Sequence, residues 1–279
     1  MPELPEVETM RRGVACVAGS VIDRVEFPRI KARPIGVSPS RERFRRRAIG
    51  KRIIDVGRIG KRVVLTLDDE SSIILEPRMT GLVLLADPPT AEHLRLRMSL
   101  SAGRKSRELM FWDRRGLGSV HLLSPAQLVA LREEKLGPDA LAISVEQLRE
   151  RLGKSRREIK VALLDQAVVA GVGNLYASEL LHVARVHPRR RCYLLSKTQW
   201  ERIHAAMLKV LEEAIRYEGS TLSDGTYRNA LNKAGGYQNE HRVYDKADAA
   251  CPTCQSPITR IVQAQRSTFF CPNCQRKSR

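Results

Sequence analysis

No apolar run in this chain reaches the roughly 20 residues that a bilayer-spanning helix needs, and no charged-then-apolar leader opens it. Those absences argue against a membrane protein and an exported one, so an intracellular, cytoplasmic protein is expected. Internal repeats and low-complexity tracts are also missing, which removes solenoids and disordered linkers from consideration. Cysteine is scarce, six in 279 residues, and four of the six fall in two CxxC pairs. That pattern points to metal rather than to disulfides. Cys16 and Cys192 stand alone and read as ordinary thiols. Acidic residues are in short supply: 31 Asp plus Glu stand against 49 Lys plus Arg, a formal charge of +18. The basic surplus is distributed over Arg43 to Arg47, Lys61-Arg62, Lys154 to Arg157, Arg189 to Arg191 and Arg276 to Arg279. A surplus spread in this way suits a long polyanion, so nucleic acid is the expected partner.

Hydrophobic spacing changes along the chain. Val7, Met10, Val14 and Val17 recur at helical intervals within residues 5 to 17, and Gly19 ends the pattern. From Val21 to about Leu123 the period shortens. Ile53 to Val56, Val63 to Leu67, Ile73 to Leu75, Leu82 to Leu85, Leu94 to Met98 and Leu109 to Trp112 read as short strands between Gly, Asp and Ser turns. The stretch from Arg29 to Arg43 reads as loop. Many short strands behind one helix predict a β-sandwich or barrel.

Beyond Ser124 helical signals return. Ser124-Pro125 opens a helix that Gly137-Pro138 closes. Ser144 with Gln147, Ser155 with Glu158 and Ser196 with Gln199 each carry the reciprocal N-terminal pattern of a capping box. The first of the last two should start a helix running to Val169, the second a long helix through Tyr217 that Gly219 ends. A boundary is therefore expected near 124–144.

Three stretches carry chemistry. In the opening Met1-Pro2-Glu3-Leu4-Pro5-Glu6-Val7-Glu8, removal of Met1 would leave Pro2 with a free secondary amine. Such a terminus titrates near ~8, against ~10.4 for a lysine, so much more of it is unprotonated at neutral pH. An unprotonated amine can attack a sugar or carbonyl carbon to give an iminium, with the Glu3 carboxyl moving the accompanying proton. The plainer alternative is a capped first helical turn. Second, Cys251-Pro-Thr-Cys254 and Cys271-Pro-Asn-Cys274 are separated by sixteen residues. Two such knuckles on a hairpin hold one tetrahedral ion, zinc in preference to iron, with no open position and so structural. Gln265-Arg266-Ser267-Thr268 would sit near the hairpin turn, where Arg266 could reach a phosphate. Third, Ala170-Gly171-Val172-Gly173-Asn174 describes a glycine turn into a helix capped by Asn174, with amides available to an anion. It is not a dinucleotide loop, because the third glycine is missing. Lys61 stands just before a strand, where a surface lysine is the plainer reading. Met79 and Leu117 sit in Gly-flanked turns from which an apolar side chain could wedge between bases or simply anchor the turn to the core.

In this order the pieces resemble formamidopyrimidine-DNA glycosylases, bacterial base-excision repair enzymes that remove oxidised purines. The opening through Thr9, the segment Gly171 to Glu179 and the four-cysteine ribbon with Gln265-Arg266 carry the resemblance, which runs from Pro2 to Cys274. Leu4 places it with that branch rather than with the endonuclease VIII branch. The resemblance implies an α+β, multidomain fold: an N-terminal β-sandwich with a leading helix (1–123), a linker (124–144), a helix-two-turn-helix domain with a lesion-covering loop (145–240) and a C-terminal zinc ribbon (241–279). DNA would lie in the cleft between the domains. The implied activity is that of a bifunctional glycosylase and AP lyase acting as a monomer on double-stranded DNA containing a damaged base, with one structural zinc. Position by position, Pro2 would attack C1′ of the damaged nucleotide, Glu3 would protonate the sugar, and Glu6 would help orient the site. Lys61, Asn174 and Arg266 would hold the phosphate beside the lesion. Lys61 would also serve β-elimination and Arg266 δ-elimination. Met79 and Leu117 would fill the gap in the duplex, Arg115 would read the orphaned partner base, and His93, Lys154 and Lys160 are further candidate DNA contacts.

The chain departs from the family pattern in three places. Glu76-Pro77-Arg78 stands where His-Leu-Gly usually precedes the methionine. Asp113-Arg114-Arg115-Gly116-Leu117-Gly118 puts Leu117 where an aromatic usually wedges, and Ser223 lies where a basic residue is frequent. Oxidised-pyrimidine excision and lesion binding without turnover are the rival functions.

Overall fold

The computed structural model describes residues 2–31, 33–222 and 225–276. Its packing divides the chain into two units, Met1–Glu133 with Ile215–Gln238, and Glu134–Ala214 with Asn239–Arg279. The expectation had kept 145–240 together, whereas Ile215–Gln238 packs in the first unit.

The first unit opens with α1, Leu4–Val14. Leu4, Val7, Met10 and Val14 recur three and four apart, and all four are fully buried. Each such side chain contributes about 1.5–3 kcal/mol when taken out of water, which is what fixes the helix against the sheets. Glu6 in the first turn and Arg11 and Arg12 in the last complement the helix dipole. The α-helix is shorter than the periodicity suggested: a 3-10 turn, Ala15–Val17, completes it.

Behind α1 stand two sheets. The strands are β1 (Val21–Glu26), β2 (Gly36–Ser38), β3 (Ile53–Ile59), β4 (Arg62–Leu67), β5 (Ser72–Glu76), β6 (Gly81–Leu84), β7 (Leu94–Ala102), β8 (Lys105–Asp113) and β9 (Ser119–Leu123). One sheet runs β1-β7-β8-β6 and the other β2-β9-β5-β4-β3. All pairings are antiparallel except β2 with β9. The shared core draws Val63, Leu65, Ile73, Leu75 and Val120 from one sheet, and Leu82, Leu96, Met98, Leu109 and Phe111 from the other. This is the expected sandwich with a leading helix.

The stretch from Arg29 to Arg43 is not all loop. β2 lies within it, held by a three-residue parallel pairing to β9. A second helix, α2 (Arg41–Ala48), begins before Arg43. Its arginines hide the signal, because Phe44 and Ala48, four apart, are its only buried residues. Phe44 meets Phe27 edge-on at 5.6 Å, and Arg41 and Arg45 lie over the Phe27 ring. After β9 comes α3, Pro125–Glu134.

The second unit contains α4 (Val145–Leu152), α5 (Ile159–Leu163), α6 (Asn174–Val183), most of α7 (Lys197–Arg216) and the hairpin β10 (Thr259–Gln263) and β11 (Arg266–Phe270). The capping boxes at Ser144 and Ser196 form, each serine hydroxyl accepting the third amide while the glutamine oxygen accepts the serine amide. The one expected at Ser155 does not. Its hydroxyl takes the Arg157 amide instead, Glu158 occupies the cap position, and the Glu158 carboxylate accepts Gln263 Nε2 at 2.6 Å. The helix expected to reach Val169 ends at Leu163, where Asp165 turns the chain by accepting the Ala167 amide.

Candidate active site and nucleic-acid interface

Pro2 and Glu3 are buried at the start of α1. Glu3 stands in the cap position, its carboxylate accepting the Glu6 amide, and Glu6 Oε2 accepts the Glu3 amide at 2.8 Å. The plain reading of the opening as a capped helix start is therefore correct, and it leaves the chemistry of the terminus open. The other Glu6 oxygen, Oε1, accepts the Ser220 amide at 2.8 Å. One buried carboxylate thus joins the helix start to the segment that follows α7. Gly219 makes this possible: its φ is +79°, and a Cβ there would lie 2.8 Å from Glu6 Oε1. Beside it, burial and then the Glu6 charge push the Tyr227 phenol well above its ordinary range. The phenol stays protonated and donates to the Glu218 carbonyl at 2.9 Å. Thr221 donates its hydroxyl to the Tyr227 carbonyl at 2.8 Å, accepts the Gly235 amide, and gives its own amide to Gln238. These bonds fix the stem of the expected lesion-covering loop. Met1 and Ser223 lie outside the described residues.

Lys61 is half-buried in the two-residue turn Gly60-Lys61, since Ile59 pairs with Arg62. Arg58 steadies this turn, giving Nη1 to the Gly60 carbonyl at 2.8 Å and Nε to Glu8 at 3.2 Å. Glu8 also pairs with Arg11 and Arg12. The helix that follows Pro2 and Glu3 and the hairpin bearing Lys61 are thereby tied together.

Met79 and Leu117, both half-buried, occupy the turns β5–β6 and β8–β9. Asp113, fully buried, wires the two together. Its Oδ1 accepts the Thr80 hydroxyl and the Arg115 amide, and its Oδ2 accepts the Gly118 amide at 2.8 Å. Gly116 has φ +62°, and a Cβ there would meet the Arg33 carbonyl at 2.3 Å, so only glycine fits. The Arg115 side chain is exposed. His93 is half-buried, edge-on to Trp112 at 5.5 Å and 3.1 Å from Glu92.

In the second unit the glycine turn is built differently from expectation. Gly173 is the cap residue and Asn174 the first residue of α6. The Asn174 amide is turned to the ribbon, donating Nδ2 to the Ser267 carbonyl at 3.0 Å. Lys160 is not a surface contact: it is 1% exposed. Its ammonium donates to Asn174 Oδ1 at 2.7 Å, Thr268 Oγ1 at 2.6 Å and the Ser267 carbonyl at 3.1 Å. Three oxygens converge on this ammonium, so Lys160, expected as a DNA contact, sits in this structure as a buried brace between α5, α6 and the ribbon. Arg266, the first residue of β11, and Lys154 are both exposed.

The four cysteines converge with all sulfurs within 4.8 Å of one another. Cys251 to Cys274 is 3.9 Å and Cys254 to Cys271 is 3.4 Å. A tetrahedron with zinc–sulfur bonds of about 2.3 Å has edges of about 3.8 Å. The Cys274 amide points at Cys271 Sγ (3.4 Å) and the Thr253 amide at Cys251 Sγ (3.5 Å), a setting that favours thiolates. One structural zinc fits this site, held by Cys251, Cys254, Cys271 and Cys274. Glu179, fully buried, anchors the chain entering the ribbon by accepting the amides of Arg242, Val243 and Tyr244 at 2.8–2.9 Å.

Sequence reasoning missed Asp113, Ser220, Tyr227, Thr268 and Arg58. Asp113 and Thr268 lay within motifs already singled out, but the partners that give these five residues their roles, Thr80, Lys160, Glu6 and Glu8, lie in other segments of the chain.

The chain matches three family descriptions: formamidopyrimidine-DNA glycosylase N-terminal domain over residues 1–120, formamidopyrimidine-DNA glycosylase H2TH domain over 136–226, and a zinc finger found in FPG and IleRS over 250–276. It is 41% identical to the formamidopyrimidine-DNA glycosylase of Chloroflexus aurantiacus, over 99% of this chain and 98% of that one. Among solved structures, Lactococcus lactis Fpg in complex with DNA containing an abasic site superposes with a TM-score of 0.88. There the identity is 33%, over 99% of this chain and 100% of that one. MutM in complex with DNA containing carbocyclic 8-oxo-G gives 0.85 at 33% identity, with the same shares covered. The chain belongs to the formamidopyrimidine-DNA glycosylase family.

Proposed function

We propose that this chain is a bifunctional DNA glycosylase and AP lyase that excises oxidised purines, 8-oxoguanine and formamidopyrimidines, from duplex DNA. The observation that carries the reading is the buried Pro2-Glu3 terminus, locked by Glu6 to Ser220. Once Met1 is removed, the Pro2 nitrogen is a secondary amine at the positive end of α1. Burial and the helix dipole both disfavour its protonated form, so the nucleophile is ready at neutral pH. It attacks C1′ as the base leaves, and the nitrogen–carbon bond becomes an iminium. Glu3 supplies the proton that opens the sugar. Strand scission then follows by β- and δ-elimination, for which Lys61 and Arg266 are the proton-transferring and phosphate-holding groups. Asn174 shares the phosphate through its backbone amide at the first turn of α6. Met79 and Leu117 fill the space that the extruded nucleotide leaves, and Arg115 reads the orphaned partner base. The lesions in the solved relatives' DNA, an abasic site and 8-oxo-G, support the same substrate class.

Borohydride trapping on duplex containing 8-oxoguanine opposite cytosine tests this. Wild type should give a covalent adduct and nicked strands, Pro2→Gly should lose the adduct, and Glu3→Gln should slow base release. A parallel substrate with thymine glycol separates purine from pyrimidine excision. Tight binding of damaged DNA with neither adduct nor nicking would sink the enzymatic reading.

A further inference from the structure

The turn between β5 and β6 holds an arrangement that the proposed chemistry does not use. Glu76, the last residue of β5, lies with Oε1 3.1 Å from Arg62 Nη2 and 3.4 Å from Arg78 Nε. Its Oε2 accepts the Ser119 hydroxyl at 3.4 Å. One carboxylate therefore faces two guanidiniums, and the group keeps one positive charge in excess. Arg62 is the inner partner, with its side chain 18% exposed, while that of Arg78 is 62% exposed. Beyond the Nε contact, the terminal nitrogens of Arg78 have no partner among the described residues.

Arg78 also has φ +53°, in the left-handed region that favours glycine. The turn around it is rigid. The Gly81 amide donates to the Pro77 carbonyl at 2.8 Å, a Cβ on Gly81 would come within 2.5 Å of Pro77, and the Thr80 hydroxyl is held by Asp113. An arginine kept in a strained backbone position, on a fixed turn, with its charged end in solvent, points to a use for that end.

We propose that Arg78 grips a DNA backbone phosphate beside the Met79 wedge. Glu76 aims the guanidinium through Nε, leaving the Nη1 and Nη2 fork to meet two phosphate oxygens. Arg62 neutralises Glu76, so the carboxylate does not repel the strand. The inference rests on the glycosylase reading above.

The test uses full-length protein with duplex DNA carrying a tetrahydrofuran abasic analogue, titrated across a range of KCl concentrations. Arg78→Gly should flatten the slope of log K against log salt by about 0.9, the loss of one neutralised phosphate. At low salt its affinity should fall about three- to tenfold, equally for any base opposite the analogue. Its thermal midpoint should match or exceed wild type, because glycine suits the backbone. Arg78→Lys, which keeps the charge, should keep the slope. An unchanged slope in Arg78→Gly, a loss that depends on the opposite base, or a lost slope in Arg78→Lys overturns the proposal. Borohydride trapping of wild type and Pro2→Gly runs alongside. If wild type traps normally while Arg78→Gly keeps its slope, Arg78 alone is wrongly assigned. If wild type neither binds nor traps, the glycosylase reading fails and takes this inference with it.

Discussion

Replacing Lys160 with methionine keeps the length of the side chain and removes its charge. In the native protein the ammonium donates to Asn174 Oδ1, Thr268 Oγ1 and the Ser267 carbonyl, all in the second unit. Losing a donor to a buried acceptor costs about 1–3 kcal/mol per orphaned group. Two of the three acceptors have partial relief. The Ser267 carbonyl keeps Asn174 Nδ2 at 3.0 Å, and the Thr268 hydroxyl can rotate to donate. Methionine also avoids the cost of desolvating an ammonium. The balance is a destabilisation of about 2–4 kcal/mol. Urea unfolding of the zinc-loaded chain should therefore show a lower midpoint for Lys160→Met at an unchanged m-value. Because Asn174 Oδ1 loses its anchor, affinity for abasic-site duplex should drop by about tenfold, or about 1.4 kcal/mol. Lys160→Met with a wild-type urea midpoint and wild-type affinity would refute the brace, and Lys160 would then be a dispensable buried charge.

Asp113→Asn puts an amide where Oδ1 or Oδ2 accepts from Thr80, Arg115 and Gly118. At least one donor then faces another donor, at a cost of about 1–3 kcal/mol. Excision should become less sensitive to the base opposite the lesion, since both wedge turns lose their common anchor; single-turnover assays against all four opposite bases would show an unaltered ranking if the idea is wrong. Glu8 gives a pH prediction. Burial would raise its carboxyl, but hydrogen bonds from Arg11 and Arg12 and the charges of Arg11 and Arg58 outweigh that and hold it below the ordinary 4.5. A lowered folded value means that the stabilisation is complete above the unfolded value and disappears as pH falls through the folded one. The gap in thermal midpoint between wild type and Glu8→Gln should thus be widest near neutrality and close below pH 4.5; a gap independent of pH contradicts the assignment.

The zinc ribbon was legible because its information is local: two CxxC knuckles and the turn between them suffice to place four sulfurs. The leading helix, the strands from Ile53 onwards and the capping boxes at Ser144 and Ser196 were legible for the same reason, through side-chain period and short-range hydrogen bonding. The same local signal misled at Ser155. Glu158 answers there to Gln263, 105 residues away, rather than to its own helix.

Composition and order by themselves determined a basic chain with a β-rich and a helical half, and its metal ligands. Only the folded molecule decided which polar groups serve as struts and which face outward. Lys160 reads like any other lysine until Ser267 and Thr268 arrive from 107 and 108 residues away. Asp113 reads like a turn residue until Thr80 meets it from the turn that enters the paired strand β6. A side chain's burial and partners depend on contacts between distant segments, and those contacts carry no periodic or neighbouring mark in the sequence. That is why the local motifs were readable early and the scaffolding around them was not.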